Sequence, residues 1–314
     1  MADEMESGFR VVADGLRFPE GPVEMPDGSI ALVEIAAGRI TRVAADGTKS
    51  VLSEPGGGPN GLALGPDGML YLCNNGGFGW TEWDGLIRPF NQAADYDTGR
   101  IERIDPATGA VTRLYDRCGD HGLRGPNDLV LDRHGGMWFS DLGKSRARDR
   151  DHGGVYWAAL DGSRIVEAAY PVPGGANGIG LSPDGGRLYV AETETGRLWA
   201  FEVIGPGELR KEPWPSSHGG RMLCQFPGFR RLDSLAVTAA GNICVATLVA
   251  GEVTTVSPDG EIIDVVRFPD RMPTNICFGG PEMRTAWITL SSTGKLVTMP
   301  WREPGLVLND RAGR

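Results

Sequence analysis

The chain has 314 residues and a formal charge of −10 at pH 7, and 47 of its residues are glycine. The acidic balance argues against nucleic acid as a partner, because an anionic surface repels a phosphate backbone, and it is hospitable to cations. No run of about 18 apolar residues offers a membrane-spanning helix, and glycine at twice its usual ~7% without a Gly-X-Y period excludes collagen and points to many tight turns between short strands.

Residues 1–8 are polar and acidic and lack the basic and apolar regions of a secretory signal. They are expected to be a disordered lead into one domain covering residues 9–314. From there a single phrase recurs. It runs Glu20-Gly-Pro-Val-Glu-Met-Pro-Asp27-Gly28, then Asn60-Gly-Leu-Ala-Leu-Gly-Pro-Asp67-Gly68, then Asn127-Asp-Leu-Val-Leu-Asp-Arg-His134-Gly135. It returns as Asn177-Gly-Ile-Gly-Leu-Ser-Pro-Asp184-Gly185, as Asp233-Ser-Leu-Ala-Val-Thr-Ala-Ala240-Gly241 and, without the closing glycine, from Asn275 to Met283. Each phrase reads as a short strand closed by a turn in which glycine accepts a positive φ. Second strands follow at residues 30–33, 70–73, 137–140, 188–191, 243–246 and 286–288, and third strands start beside Gly38, Gly99, Gly154, Gly196, Gly251 and Gly294. Turns at Asp46-Gly47, Thr108-Gly109, Asp161-Gly162 and Asp259-Gly260 lead into a fourth strand in four of the copies. Six meanders of about 50 residues predict an all-β fold, a six-bladed β-propeller with four-stranded antiparallel blades. Ring closure is expected to pair residues 9–13 with residues 306–308.

Two stretches break the spacing. Residues 76–97 form an insertion carrying Phe78, Trp80, Trp83, Phe90 and Tyr96, too aromatic for disorder and suited to a lid. Residues 143–153 are highly charged and read as a solvated charge run. The five cysteines are scattered and odd in number, which fits reduced thiols in a cytoplasmic protein instead of a disulfide frame or a zinc site. The four histidines lack ligand spacing.

Aligned on their first turn, the copies put Glu20, Asn60, Asn127, Asn177, Asp233 and Asn275 at one register, seven residues before the turn residue. The first strand of a propeller blade lines the central channel, so these six converge in a ring. A lone Asn there would be explained by side-chain to backbone bonds at a strand start; six carboxylates and amides at one register suggest a site for one divalent cation. Oxygen donors suit Ca²⁺, Mg²⁺ or Mn²⁺, and Ca²⁺ accepts many ligands in a loose geometry. Zn²⁺ remains a candidate at the same site. Glu20 and Asp233 balance the charge and would otherwise repel each other. A second ring, about fourteen residues later, comprises Glu34, Asn74, Asp141, Glu192, Thr247 and Thr289. These are strand-end turn residues, outer partners of the first ring, or substrate contacts.

Phe18-Pro-Glu20-Gly-Pro, Gly125-Pro-Asn127-Asp128-Leu-Val-Leu-Asp, Ala176-Asn177-Gly-Ile-Gly-Leu-Ser-Pro and Leu232-Asp233-Ser-Leu-Ala-Val resemble the gluconolactonase/regucalcin (senescence marker protein) family of propeller lactonases. The resemblance spans nearly the whole chain. It implies a divalent metal, usually Ca²⁺, and hydrolysis of sugar-acid lactones. By position it makes Glu20, Asn177 and Asp233 metal ligands, gives Asn127 a place in the metal shell or on the substrate, and makes Asp233 the base or nucleophile. Asn127 and Asp233 are thus the expected catalytic pair. Asn60, Asn74, Asp141 and Asn275, with Trp80 and Trp83 of the insertion, are expected to contact substrate. The chain departs from some relatives at Gly125, where they carry Arg, and at Ser234, where many carry Gly; the aromatic insertion points away from a small polyol toward an apolar or aromatic lactone. The partner expected is a small-molecule lactone, with no nucleic acid or membrane, on a monomer or weak homo-oligomer. Rival readings are a phosphotriester hydrolase on the same metal site and a non-catalytic Ca²⁺-binding propeller.

Overall fold

The computed structural model describes residues 8–308; residues 1–7, most of the expected disordered lead, lie outside the described residues. Six antiparallel sheets form the six blades of a propeller. Their innermost strands are Pro19–Glu24, Pro59–Leu64, Pro126–Leu131, Ala176–Leu181, Arg231–Val237 and Pro273–Gly279, and each touches the next around the ring until the last meets the first. The second strands, Ile30–Glu34, Leu70–Asn74, Gly136–Asp141, Arg187–Glu192, Ile243–Leu248 and Thr285–Leu290, contain the segments expected from the repeat. Apart from a 3-10 turn at Ile35–Ala37, no helix occurs among the described residues.

The core is divided into six wedges, one between each pair of neighbouring blades. In the second strand of blade 1, Ile30 and Leu32 pack toward blade 6 while Ala31 and Val33 pack toward blade 2. The two-residue period of a strand thus sends alternate side chains into two wedges, and both faces are buried. That is why these strands read as unbroken apolar runs instead of an apolar–polar alternation.

The two blades that lacked a fourth strand in the repeat obtain one by different routes. In blade 4, Glu208–Arg210 and Arg221–Gln225 both pair with the third strand, Arg197–Gly205. In blade 6 the outer strand is the N-terminal Arg10–Ala13, which pairs with Lys295–Pro300. The expected N-terminal closing strand is therefore present, but its partner is the third strand of blade 6, not residues 306–308. The latter region crosses under blade 5, where the Leu306 amide donates to the Val237 carbonyl at 2.9 Å, and Leu306 and Leu308 line the far end of the axial channel.

Candidate active site

Each innermost strand slips register against its neighbour at the ring position. The slips fall between Glu20 and Val23, Pro59 and Leu62, Pro126 and Leu129, Ala176 and Ile179, Leu232 and Leu235, and Pro273 and Asn275. A bulge bends its strand and re-aims the side chain it carries, and six repeats of it turn one residue per blade toward the axis. Glycine directly after the ring residue permits this where strands crowd. A Cβ on Gly178 would lie 2.4 Å from the Asp233 carbonyl oxygen, and one on Gly61 would lie 2.5 Å from that of Asn127.

Glu20, Asn60, Asn127, Asn177 and Asp233 line one cleft at the mouth of the channel, with a cavity volume of about 180 Å³. Asn275 faces the apolar lower channel, yet its Nδ2 donates to Glu20 Oε2 at 2.7 Å. Glu20 also accepts from the Gly21 amide and, at 3.4 Å, from Ser234 Oγ. Asn177 Nδ2 donates to Thr193 Oγ1 at 3.1 Å, which anchors that end of the amide. The Oδ1 atoms of both Asn127 and Asn177 are buried without any hydrogen-bond partner. Buried polar atoms are rarely left so.

The carboxylates are equally unsettled. Burial pushes Glu20 up to about 7, against the pull of its hydrogen bonds. Burial and then the Glu20 charge push Asp233 well above the usual range. Asp128 follows Asn127 directly in the chain. It lies in the lower channel, where burial and then Glu20 push it up to about 8. Three buried carboxyls that resist ionisation, beside two orphaned amide oxygens, fit a group that brings positive charge and accepts oxygen donors. Among the described residues no trio of His, Cys, Asp and Glu forms a metal cage, so an ion here would be held by a mixed carboxylate and amide set. Those residues are suited to a hard divalent cation.

Four members of the second ring serve the backbone. Glu34 accepts from the Arg17 amide at 2.8 Å, Asn74 from Gly58 at 2.9 Å, Asp141 from Arg124 and Gly125 at 2.8 and 2.7 Å, and Glu192 from Gly174 at 2.7 Å. Each clamps the segment that enters its own blade's innermost strand. Asn74 also spends its Nδ2 on the Gly56 carbonyl and Glu102. The structure thus leaves Asn74 and Asp141 outside the cleft.

The aromatic insertion forms a hairpin, Phe78–Trp83 with Leu86–Gln92. It reaches the cleft through Phe78, Pro89 and Asn91. Trp80 instead packs on Phe18 with ring centroids 5.1 Å apart, and Trp83 at the hairpin tip is 72% exposed, so neither tryptophan lines the cleft. The charged stretch 143–153 is not simply solvated. Lys144 is buried, donating to Asn75 Oδ1 at 3.0 Å and to the Gly77 carbonyl at 2.8 Å beneath the ring of Phe78. Burial lowers it to about 7. Gly143, Ser145 and Arg150 of the same stretch line the cleft.

The family model for the SMP-30/gluconolactonase/LRE-like region matches residues 18–292, which take in the innermost strands of all six blades. A gluconolactonase of Zymomonas mobilis is 23% identical over 321 residues, 92% of this chain and 80% of that protein. A diisopropyl-fluorophosphatase of Loligo vulgaris is 26% identical over 200 residues, 58% of this chain and 59% of that one. Among solved structures, the calcium-binding protein regucalcin of Agrobacterium tumefaciens has a TM-score of 0.73 at 19% identity, covering 96% of this chain and 97% of that one, a likeness of fold. On its repeat, its six-bladed architecture and this match, the chain belongs to the SMP-30/gluconolactonase/LRE-like family.

Proposed function

We propose that this protein is a metal-dependent lactone hydrolase whose single divalent cation, Ca²⁺ by the character of its donors, is held by Glu20, Asn127, Asn177 and Asp233. The observation that carries the reading is the pair of buried, partnerless amide oxygens on Asn127 and Asn177 beside two buried carboxyls. The gluconolactonase relative supports a lactone as substrate. Bound in that ring, the ion supplies Lewis-acid polarisation of the lactone carbonyl. Asn127 and Asn177 offer their oxygens to the ion, and Thr193 holds the other end of the Asn177 amide. Asp233 either takes a proton from the attacking water and returns it to the ring oxygen that leaves as the acyl C–O bond breaks, or attacks the carbonyl carbon itself, expelling that oxygen and leaving an acyl-enzyme that water hydrolyses. The apolar wall of the cleft, which includes Phe18, Ile35 and Met272, excludes competing water and strengthens these interactions.

The experiment is a panel of lactones and phosphotriesters assayed on chelator-treated protein with Ca²⁺, Mg²⁺, Mn²⁺ or Zn²⁺ added back. Lactone opening that depends on the added ion supports the reading. Ion-dependent turnover of phosphotriesters alone would favour the activity named for the Loligo relative. Binding of the ion with no turnover of either class would leave a non-catalytic cation-binding propeller.

A further inference from the structure

The wall of the cleft contributed by blades 3, 4 and 5 carries Arg150, Glu194 and Arg231. Both guanidiniums lean on the same carboxylate. Arg231 Nη2 donates to Glu194 Oε1, while Arg150 Nη1 stands 3.7 Å from that same oxygen, beyond hydrogen-bond reach. Two guanidiniums present ten N–H donors, and one carboxylate satisfies few of them. The Nε atoms of Arg150 and Arg231 are both buried without an acceptor. Once a dication offsets Glu20 and Asp233, the charges left in the cleft lining are these two arginines and Glu194, so the wall keeps one excess positive charge. Arg231 stands two residues before Asp233 on the same strand. The rest of the lining, on the side of blades 6, 1 and 2, includes the apolar Phe18, Ile35, Phe78, Pro89 and Met272.

We propose that Arg150 and Arg231 form an anion subsite, and that the substrate is a lactone bearing an oxyacid group, a carboxylate or sulfonate, opposite an apolar portion. The proposal rests on the lactonase reading for the ring-opening chemistry, while the anion subsite itself follows from the two arginines. Planar guanidiniums receive an oxyacid through paired, charge-assisted hydrogen bonds. In a protein of net charge −10 such a positive wall has a specific use, because the rest of the surface repels an anion.

The test compares two lactones of one ring, 5-oxotetrahydrofuran-2-carboxylate and its uncharged 2-carboxamide, on the metal-loaded enzyme. The acid is expected to exceed the amide in kcat/KM by about tenfold or more at low salt, and the ratio is expected to fall toward parity in Arg150→Gln, in Arg231→Gln and at about 0.5 M NaCl. Glu194→Gln, which frees both guanidiniums, should raise the ratio instead. Calorimetric binding of the non-hydrolysable pair 3-oxocyclopentanecarboxylate and 3-oxocyclopentanecarboxamide reads the subsite without turnover, and the same preference and the same response to the three substitutions are expected. A wild-type preference for the amide or for neither member of the binding pair, or a preference that survives both arginine substitutions, overturns the subsite. Absence of lactone turnover with the binding preference intact overturns the lactonase reading and leaves the subsite standing.

Discussion

Stripping divalent cations from the protein and raising the pH tests the channel carboxyls directly. Burial lifts Glu20 from the ordinary 4.5 to about 7 in the cation-free fold. A carboxyl whose folded pKa lies above its unfolded value keeps a proton that the unfolded chain gives up. Its stabilisation is therefore complete below about 4.5 and lost as the pH climbs through about 7. For Glu20 alone the loss is on the order of 3 kcal/mol, and Asp128, lifted from 3.8 to about 8, acts in the same direction. With about 2.1 cal/mol/K of unfolding entropy per residue over 314 residues, 3 kcal/mol corresponds to about 5 °C in Tm. The chelated protein should then melt about 5 °C or more lower at about pH 8 than at about pH 5. A divalent cation replaces the missing protons as the counter-charge, so added Ca²⁺ should raise Tm far more at the higher pH. Scanning calorimetry at both pH values, with chelator and with Ca²⁺, reads all four states. A Ca²⁺ increment equal at the two pH values, or none at either, would mean that these carboxyls do not hold the protons assigned to them.

Three substitutions probe the ring further. Asp233→Asn should lower lactone kcat/KM by at least about a hundredfold, and near-normal turnover at equal metal content would remove Asp233 from the chemistry. Thr193→Val removes the acceptor that anchors Asn177 Nδ2 and should weaken cation affinity by about ten- to a hundredfold, measured by titration calorimetry. Gly178→Ala puts a methyl 2.4 Å from the Asp233 carbonyl, and should cost about 1–3 kcal/mol in denaturant unfolding together with weaker cation binding; a neutral result would show that blades 4 and 5 do not crowd there.

The six blades were legible because each repeats one turn chemistry, and alignment on those turns is enough to bring Glu20, Asn60, Asn127, Asn177 and Asp233 to one register. What alignment does not convey is direction. Asn74 and Asp141 occupy the positions expected of a second ring, but their oxygens face the backbone amides of Gly58, Arg124 and Gly125 across their own hairpins, a choice of partner that residue type and spacing do not specify. The bulges that aim the first ring leave only the glycines of Glu20-Gly21, Asn60-Gly61 and Asn177-Gly178 as a trace. Trp80 and Trp83 follow aromatic character, which favours burial without saying against what, and the hairpin spends Trp80 on Phe18. Arg150 and Lys144 sit in a stretch whose composition alone reads as solvated. Their surroundings come from Glu194 and from Asn75 and Gly77, none of which is near them in the chain.

The pairing of Arg10–Ala13 with Lys295–Pro300 has a consequence for synthesis. Arg10 meets Thr298, so at about 5–20 residues per second the first strand leaves the ribosome roughly 15 to 60 s before its partner exists. Throughout that interval a strand with free edges waits beside the growing blades, a ready template for the wrong partner. Blades 1 to 5 are complete before the last blade is made, but the circle closes in a single late event. A nascent chain stalled in blade 6 would therefore carry an unclosed ring and an unclaimed strand at once, and quality control would meet this protein at that step.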